Sequence, residues 1–172
     1  MALLRQIGIE PAKVIAPEID ETPLKAELPR VYAQRMALGK LIPCNDMFVI
    51  AADTVVAAGR RILHKTESRK EAEAYLRLLC GRRHKVYSAV AVRAPDGRIA
   101  SRVVESAVGL ARLDDTQLQA YLASDEWQGK AGGYAIQGLA AGFIDYLSGS
   151  YSGVVGLPLH ETAKLLRGLG WS

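Results

Sequence analysis

Apolar positions along the chain form two kinds of pattern, and the first kind predicts β-strands. The run "MFVIAADTVV", residues 47–56, predicts a strand, with a turn at Gly59 and the returning segment "RILHK" after it. The segments "HKVYSAVAVRA" and "RIASRVVESAVGLA" lie on either side of the turn sequence "PDGR". This order of apolar run, turn and apolar run predicts a β-hairpin.

The second kind of pattern has helical spacing. The clearest helix is "TESRKEAEAYLRLLCG", with Thr66 or Ser68 as its N-cap and Gly81 at its end. Further helices are predicted for "MALLRQIGI", residues 31–41, "DDTQLQAYLASDEW" and the closing "HETAKLLRGLG". Prolines between the first two helices predict extended loops there. The mixture predicts an α/β fold in one domain, residues 1–172, with a mixed sheet and helices on its faces.

Asp53 interrupts the first predicted strand. An apolar run, residues 48–52, precedes it, and a second apolar run, residues 55–58, follows it. An ionised carboxylate is rarely buried without a partner, because leaving water costs free energy. Asp53 is therefore predicted to pair with another group or to lie where the strand opens onto a site, and a turn-forming role is the simpler alternative.

The overall composition is that of an ordinary globular protein, with 49% hydrophobic and 23% charged residues. No apolar stretch is long enough to span a bilayer, and the first residues lack the form of a secretory signal. We therefore expect a cytoplasmic protein with no membrane partner.

The balance of charge is basic, with a formal net charge of +4 and a pI near 9.1. The densest basic cluster is "GRRHK", residues 81–85, which contains no aromatic residue. A solvated turn is the simpler interpretation of this cluster, and an anion-facing role is the alternative. No recognised nucleic-acid motif is present, so we expect no nucleic-acid partner. The basic pI alone supports the alternative of a nucleic-acid binder only weakly.

Several polar residues fit their local pattern poorly. They are Glu18, Asp20 and Glu21 in a proline-bounded loop, Lys40, Asp53 and Lys65 after helical or apolar segments, and Lys130 and Gln137 among small residues. Two carboxylates and two lysines from different loops suit a magnesium–triphosphate site, because carboxylate oxygens hold a hard cation and ammonium groups neutralise phosphate. No Walker A, GxGxxG or GxSxG motif is present. The residues by themselves indicate a phosphate-handling enzyme, although each one alone also suits a structural role.

The order of seven motifs makes this indication specific. They are "APEIDET", "YAQRMALGK", "AADTVV", "ILHK", "LCGRRHKVYSAVAV", "KAGGYAIQG" and "GSYSGVVGLPL". In order and approximate spacing they resemble the Maf family of nucleoside triphosphate pyrophosphatases, which is historically linked to septum formation. The resemblance implies hydrolysis of a nucleoside triphosphate, an acid anhydride, to the monophosphate and pyrophosphate with Mg²⁺ or Mn²⁺. It also implies an elongated fold of two lobes around a cleft, similar to inosine triphosphate pyrophosphatases, and a possible homodimer.

The resemblance also implies roles for individual residues. Asp53 matches the general base that activates water, and Glu21 and Asp53 match the residues that hold the cation. Lys40 and Lys65 match phosphate-binding lysines. Thr54 and Gln137 match positions tied to substrate choice. The segments "ADT" and "KAGGYAIQG" are similar to the branch of the family that acts on dTTP and UTP.

The sequence departs from the family pattern in two places. Thr66 stands where the family usually has proline. The family's first strand and its S-x-S-P-R-R loop, which would bring donors to the triphosphate, are absent before "MALLRQIGI". A misassigned start is the preferred explanation. The other explanation is a short form with impaired catalysis, which leads to a second hypothesis: a nucleotide-binding or regulatory protein linked to cell division.

Overall fold

The computed structural model of the protein describes residues 2–44 and 46–171. Its helices are α1 (Ala2–Gln6), α2 (Pro29–Gly39), α3 (Arg69–Leu79), α4 (Asp115–Ala123), α5 (Tyr151–Val155) and α6 (Leu159–Gly168). Its strands are β1 (Val49–Ala58), β2 (Arg61–Leu63), β3 (Lys65–Thr66), β4 (Arg82–Arg93), β5 (Ile99–Leu110), β6 (Lys130–Ala131) and β7 (Ile144–Ser148). A 3₁₀ turn, Leu139–Phe143, precedes β7.

A five-stranded sheet organises the described part of the chain, in the order β2-β1-β4-β5-β7. The predicted hairpin is confirmed as β4 and β5, which pair along their whole lengths from Arg82↔Leu110 to Arg93↔Ile99. The predicted α/β class is confirmed, but the strand directions are more uniform than a mixed sheet would be. Each neighbouring pair of strands in this sheet is antiparallel.

The helix predictions are also confirmed, and the structure decides the open N-cap. The Ser68 hydroxyl accepts a hydrogen bond from the Glu71 backbone N–H at 3.4 Å, so Ser68 caps α3 and Thr66 belongs to β3. Asp114 caps α4 in a capping box with Gln117. No described helix has the length and apolar character that a membrane crossing requires.

Helices cover the sheet on both faces. On one face, α2 buries Tyr32 and Met36 against Val55 of β1. On the other face, two separate apolar clusters lie at opposite ends of the sheet. One joins α3 and α4 to the end that holds Val86, and the other joins α6 and α1 to the end that holds Val90. Burial of these apolar side chains is the main favourable contribution to folding.

Hydroxyl side chains separate these two clusters. Ser88 and Ser106 are fully buried in the middle of the sheet, and α5 lies over them. The Ser88 hydroxyl donates to the Gly153 carbonyl at 2.6 Å, and the Ser150 N–H donates to the Ser106 hydroxyl at 3.0 Å. Because buried polar groups are costly when unpaired, these bonds fix α5 against the sheet between the two clusters.

A small ribbon of two strands was not predicted. Lys65 lies opposite Ala131, and Thr66 lies opposite Lys130, so β3 and β6 pair across a long stretch of sequence. Gly132 follows the ribbon with a φ of +71°, and a Cβ there would lie 2.8 Å from Val56 Cγ1. Glycine is required at this position for both reasons, because its backbone is left-handed and it closes on β1.

Candidate active site

A cavity of about 270 Å³ lies beside β1 and brings most of the predicted site residues together. Five of the six predicted residues line it, namely Lys40, Asp53, Thr54, Lys65 and Gln137. The sixth, Glu21, is connected to the cavity through Lys40. Segments that are far apart in sequence, "GK", "ADT", "HK" and "IQG", therefore meet at one place in the fold.

The position of the cavity explains the carboxylate inside β1. Asp53 lies in the middle of the strand, where β4 pairs with β1 on one side. On the other side, β2 pairs with β1 only from Val56 to Ala58, and the described chain places no strand beside the preceding residues. Consecutive residues of a strand point to opposite faces. Asp53 and Thr54 nevertheless reach the same cavity, because it lies along this open edge.

Asp53, Lys40 and Glu21 form the charged centre of the site. The Lys40 ammonium lies 2.6 Å from Asp53 Oδ1 and 2.7 Å from Glu21 Oε1. The side chains of Asp53 and Lys40 are only 9% and 15% exposed, whereas that of Glu21 is 47% exposed. Asp53 thus has the cationic partner that its burial requires, and the site opens to solvent on the Glu21 side.

Helix α2 positions both Lys40 and the extended loop that precedes the helix. Lys40 is the C-cap of α2, and its backbone N–H is bonded to the Met36 carbonyl. The buried Tyr32 hydroxyl donates to the Glu21 carbonyl at 2.7 Å, and Arg35 donates to the Thr22 carbonyl at 3.0 Å. The extended loop before α2 is therefore attached to this helix, and Glu21 is held within reach of Lys40.

The other acidic residues of that loop do not join the site. Asp20 Oδ1 accepts a hydrogen bond from the Thr22 N–H at 2.8 Å, which is a local turn contact. Glu18 is exposed and forms no ion pair with the described residues. Of the three carboxylates in "PEIDET", Glu21 alone contacts the cluster.

Burial and neighbouring charges act on the pKa values of Asp53 and Lys40 in opposite directions. Burial raises the pKa of Asp53, and the hydrogen bond and charge of Lys40 only partly offset that rise. The pKa of Lys40 is also raised, because its bonds to Asp53 and Glu21 outweigh the lowering effect of burial. The hydrogen bond from Lys40 lowers the pKa of Glu21. Lys40 is therefore cationic at neutral pH, and Asp53 is a more basic carboxylate than a solvent-exposed aspartate.

Two further cations line the cavity from the ribbon. Lys65 of β3 and Lys130 of β6 are both exposed, and neither ammonium group has a carboxylate within 4 Å among residues 2–44 and 46–171. Lys130 was noted in the sequence only as a residue among small neighbours and was given no role. Its proximity to Lys65 depends on the pairing of β3 with β6, which no local pattern indicates.

Gln137 and the 150s segment form the remaining wall. Gln137 is exposed after the buried Ile136, and both residues line the cavity. The chain beyond Gln137 is held by Glu126, whose Oε2 accepts the Leu139 N–H at 2.7 Å. Val155, in α5, also lines the cavity. The "GSYSGVVGLPL" motif thus serves the site through the packing of α5.

The described residues of the site can supply only some of the ligands that a divalent cation needs. Among the described residues, no group of three or more His, Cys, Asp or Glu side chains is placed to enclose a metal ion. Lys40 contacts both Glu21 and Asp53, and so brings these two carboxylates close to each other. Mg²⁺ commonly takes one or two carboxylates and completes its shell with water and substrate phosphates. The hard oxygen donors therefore fit a cation that arrives with a phosphate substrate.

The fold and this site define a member of the Maf family, and the chain belongs to it: the model of the Maf-like protein family matches residues 1–169. Among its relatives, a protein of Granulibacter bethesdensis is 56% identical over 188 residues, covering 99% of this chain and 88% of that protein. A protein of Caulobacter vibrioides is 54% identical over 173 residues, covering 98% and 90%. Both relatives are named dTTP/UTP pyrophosphatase. The resemblance seen in the sequence is confirmed.

Proposed function

We propose that the protein is a nucleoside triphosphate pyrophosphatase that acts on dTTP and UTP and releases pyrophosphate. Relatives that are 50–56% identical over nearly the whole chain carry the name of that activity. The structural observation that carries the proposal is the cluster in which Lys40 contacts both Asp53 and Glu21. Beside it lie the ammonium groups of Lys65 and Lys130, which have no carboxylate within 4 Å in the described chain. A buried base next to free cations suits hydrolysis of a phosphoanhydride.

Asp53 is the general base of this mechanism. Its carboxylate takes a proton from water while the water oxygen attacks the α-phosphorus. The bond from that phosphorus to the bridging oxygen breaks, and pyrophosphate leaves with the bond's electron pair. Because burial raises its pKa, Asp53 accepts the proton more readily than an exposed aspartate would, provided that it is ionised.

The lysines bind and neutralise the triphosphate. Lys65 and Lys130 extend from the β3–β6 ribbon and have no carboxylate within 4 Å in the described chain, so their ammonium groups can contact phosphate oxygens. Lys40 was expected to bind phosphate directly. In this arrangement its ammonium also keeps Asp53 ionised and Glu21 in place. Ammonium groups that are held before the substrate arrives need no reorganisation during the reaction.

A divalent cation, Mg²⁺ or Mn²⁺, is the cofactor of the reaction. Glu21 and Asp53 would hold it, using the carboxylate oxygens that do not bind Lys40. When bound, the cation neutralises charge on the phosphate oxygens.

Substrate choice is assigned to Thr54 and Gln137. Uracil and thymine share an N–H group between two carbonyl groups, and a glutamine amide can both donate and accept hydrogen bonds at such an edge. Gln137 lies exposed on the cavity wall, where its amide can meet a base. The Thr54 hydroxyl lies 3.5 Å from the Gly153 carbonyl, so this weak contact leaves it available to a ligand.

The decisive test measures pyrophosphate release from a panel of nucleoside triphosphates with Mg²⁺ or Mn²⁺. We expect dTTP and UTP to be hydrolysed fastest, and Asp53→Asn to lower kcat by at least about a hundredfold, the usual contribution of a general base. Asp115→Asn, an exposed aspartate on α4, is the matched control and should retain full activity. Equal rates for Asp53→Asn and the parent would exclude Asp53 as the base, and no release from any nucleotide would exclude the function.

The alternative of a non-hydrolysing regulatory protein linked to septum formation is not favoured. The relatives are named for an enzymatic activity, and a buried carboxylate with a raised pKa suits turnover more than binding alone. Calorimetry separates the two: nucleotide binding without any turnover would support the regulatory protein.

We also propose that the chain forms one Maf-like domain, acts in the cytoplasm and assembles as a homodimer. The single continuous sheet, to which both apolar clusters and α2 attach, supports the first point. Light scattering on the purified protein would give the mass of the assembly, and a monomer at micromolar concentration would exclude the homodimer.

A further inference from the structure

A second cavity, of about 370 Å³, lies where β4 begins, β5 ends and β7 begins. Three arginines line it, and two of them come from "GRRHK", a segment that the proposed activity leaves without a role and that begins β4 instead of forming the predicted solvated turn. The other lining groups that matter here are Gly109, Asp145 and Tyr146. We call it the arginine cavity, after Arg82, Arg83 and Arg112.

The register of three strands places Arg83 over an aromatic ring. Arg83 lies opposite Gly109, and Gly109 lies opposite Tyr146, so the three residues form a row across β4, β5 and β7. The Arg83 guanidinium carbon is 3.6 Å from the centre of the Tyr146 ring. This cation–π contact fixes the guanidinium while leaving its edge N–H groups available to a ligand.

Gly109 leaves room for the side chains of the neighbouring strand β7. A Cβ at this position would lie 2.7 Å from Asp145 Oδ1 and 2.9 Å from Tyr146 Cβ. Its φ is not in the left-handed region, so the backbone conformation alone does not require glycine here. The small residue is needed because side chains from the neighbouring strand occupy the space above it.

Arg112 is held on the other side of the cavity. Its side chain packs on Gly81, where a Cβ would lie 2.7 Å from Arg112 Cγ. The Gly81 N–H donates to the Leu110 carbonyl at 2.8 Å, which ties the residue before β4 to the end of β5. Arg112 and the start of β4, which carries Arg82 and Arg83, are therefore held together by the backbone.

The three guanidinium groups have no anionic partner in the described chain. None of them has a carboxylate within 4 Å, although several other arginines of the protein, such as Arg35 and Arg77, do form ion pairs. Asp145 lines the same cavity but forms no ion pair with the residues that the structure describes, so three cations and one anion give the cavity an excess of positive charge. Like charges that share a concave surface repel one another, and a bound anion relieves that repulsion.

We infer that the arginine cavity binds a multiply charged phosphate anion, of which inorganic pyrophosphate is the simplest. Guanidinium groups match phosphate oxygens in pairs of parallel hydrogen bonds, which suits several arginines around one small anion. A nucleic acid is a poorer fit, because single strands stack bases on open aromatic rings and the Tyr146 ring is covered by Arg83. The site is separate from the cavity that holds Asp53 and does not depend on the proposed function.

Residue-resolved NMR tests the inference, because pyrophosphate is also expected at the catalytic cavity. The backbone amides of ¹⁵N-labelled protein are followed during titration with sodium pyrophosphate. We expect two sets of shifts, one at Lys65 and Gln137 and a second at Gly81, Gly109 and Tyr146. The second set reports the arginine cavity whether or not the first set appears.

Two variants and a control make the result specific. Arg83→Gln and Arg112→Gln should each weaken pyrophosphate binding at the arginine cavity by about tenfold or more, as measured from the second set of shifts. The reason is that a hydrogen bond to a charged group is lost. Arg102→Gln, an exposed arginine elsewhere on β5, should change nothing. Absence of the second set, equal shifts in both variants and the parent, or shifts that require an oligonucleotide in place of pyrophosphate would each overturn the inference.

Discussion

At the residue scale, the chemistry of the site depends on how Lys40 and Asp53 change each other. Asp53 is 9% exposed, and burial alone would favour its protonated form. The ammonium of Lys40, 2.6 Å away, favours the ionised form. The carboxylate is thus more basic than usual yet available as an anion, which suits the general-base role proposed for it.

Lys40→Met tests this balance through the pH dependence of activity. Asp53 must be ionised to take a proton, so kcat/KM rises as the pH rises through its pKa. Removing Lys40 removes the interaction that lowers this pKa. We therefore expect the acid limb of the profile of kcat/KM against pH to move to a pH about 1–2 units higher, and the maximum rate to fall. Lys164→Met, at an exposed site on α6, is the matched control. An acid limb that stays in place would contradict the role of Lys40.

At the element scale, the short ribbon of β3 and β6 carries two of the three lysines that line the cavity beside β1. Its position depends on Gly132, because the loop after β6 approaches β1 more closely than any side chain allows. The Gly132 N–H also donates to the Leu63 carbonyl at 3.1 Å. The ribbon therefore connects the sheet to the lysines, and a displaced ribbon would move both ammonium groups.

Gly132→Ala should disturb stability and substrate binding together. The new Cβ meets Val56 at 2.8 Å in a left-handed backbone, so we expect the free energy of unfolding to fall by about 1–3 kcal/mol. Because Lys65 and Lys130 move with the ribbon, KM for the triphosphate should rise as well. Gly142→Ala is a matched control, since no atom lies within 4 Å of its added Cβ. Urea unfolding and steady-state kinetics measure the two effects, and an unchanged KM would separate the ribbon from the site.

At the scale of the whole molecule, one buried histidine links stability to pH. His84 lies 4% exposed in the cluster between the sheet and α3, where its Nε2 is 2.7 Å from the Tyr134 hydroxyl. Burial lowers the pKa of His84 to about 4. The folded protein therefore keeps this imidazole neutral at pH values where the unfolded chain binds a proton.

Acidification should therefore destabilise the fold before most carboxylates titrate. The contribution of His84 is complete above pH 6.5 and is lost as the pH falls towards 4, because only the unfolded state gains the proton. The loss amounts to about 3 kcal/mol, given about 1.4 kcal/mol for each tenfold change in proton affinity. His84→Gln should remove this part of the pH dependence, and His160→Gln, at an exposed site, should keep it. Urea unfolding from pH 7.5 to 4.5 measures the difference, and identical slopes for parent and His84→Gln would contradict it.

Much of the fold could be read from the sequence because it depends on local patterns. The β4–β5 hairpin follows from two apolar segments around "PDGR", and α3 and α4 follow from their caps at Ser68 and Asp114. The β3–β6 ribbon could not be read, because two residues in each strand carry no periodicity and the partners are distant in sequence. Lys130 was missed as a site residue for the same reason.

The sequence by itself determined the α/β class, the membership in the Maf family and most of the residues that could serve a triphosphate. These follow from side-chain chemistry and from motif order, which do not need coordinates. Tertiary structure alone decided that Asp53 lies at an open edge of β1, paired to Lys40. It also decided that three arginines with no carboxylate partner among the described residues share one cavity. The physical reason is that pairing, burial and exposed strand edges are set by contacts between distant segments, and a local pattern contains no record of them.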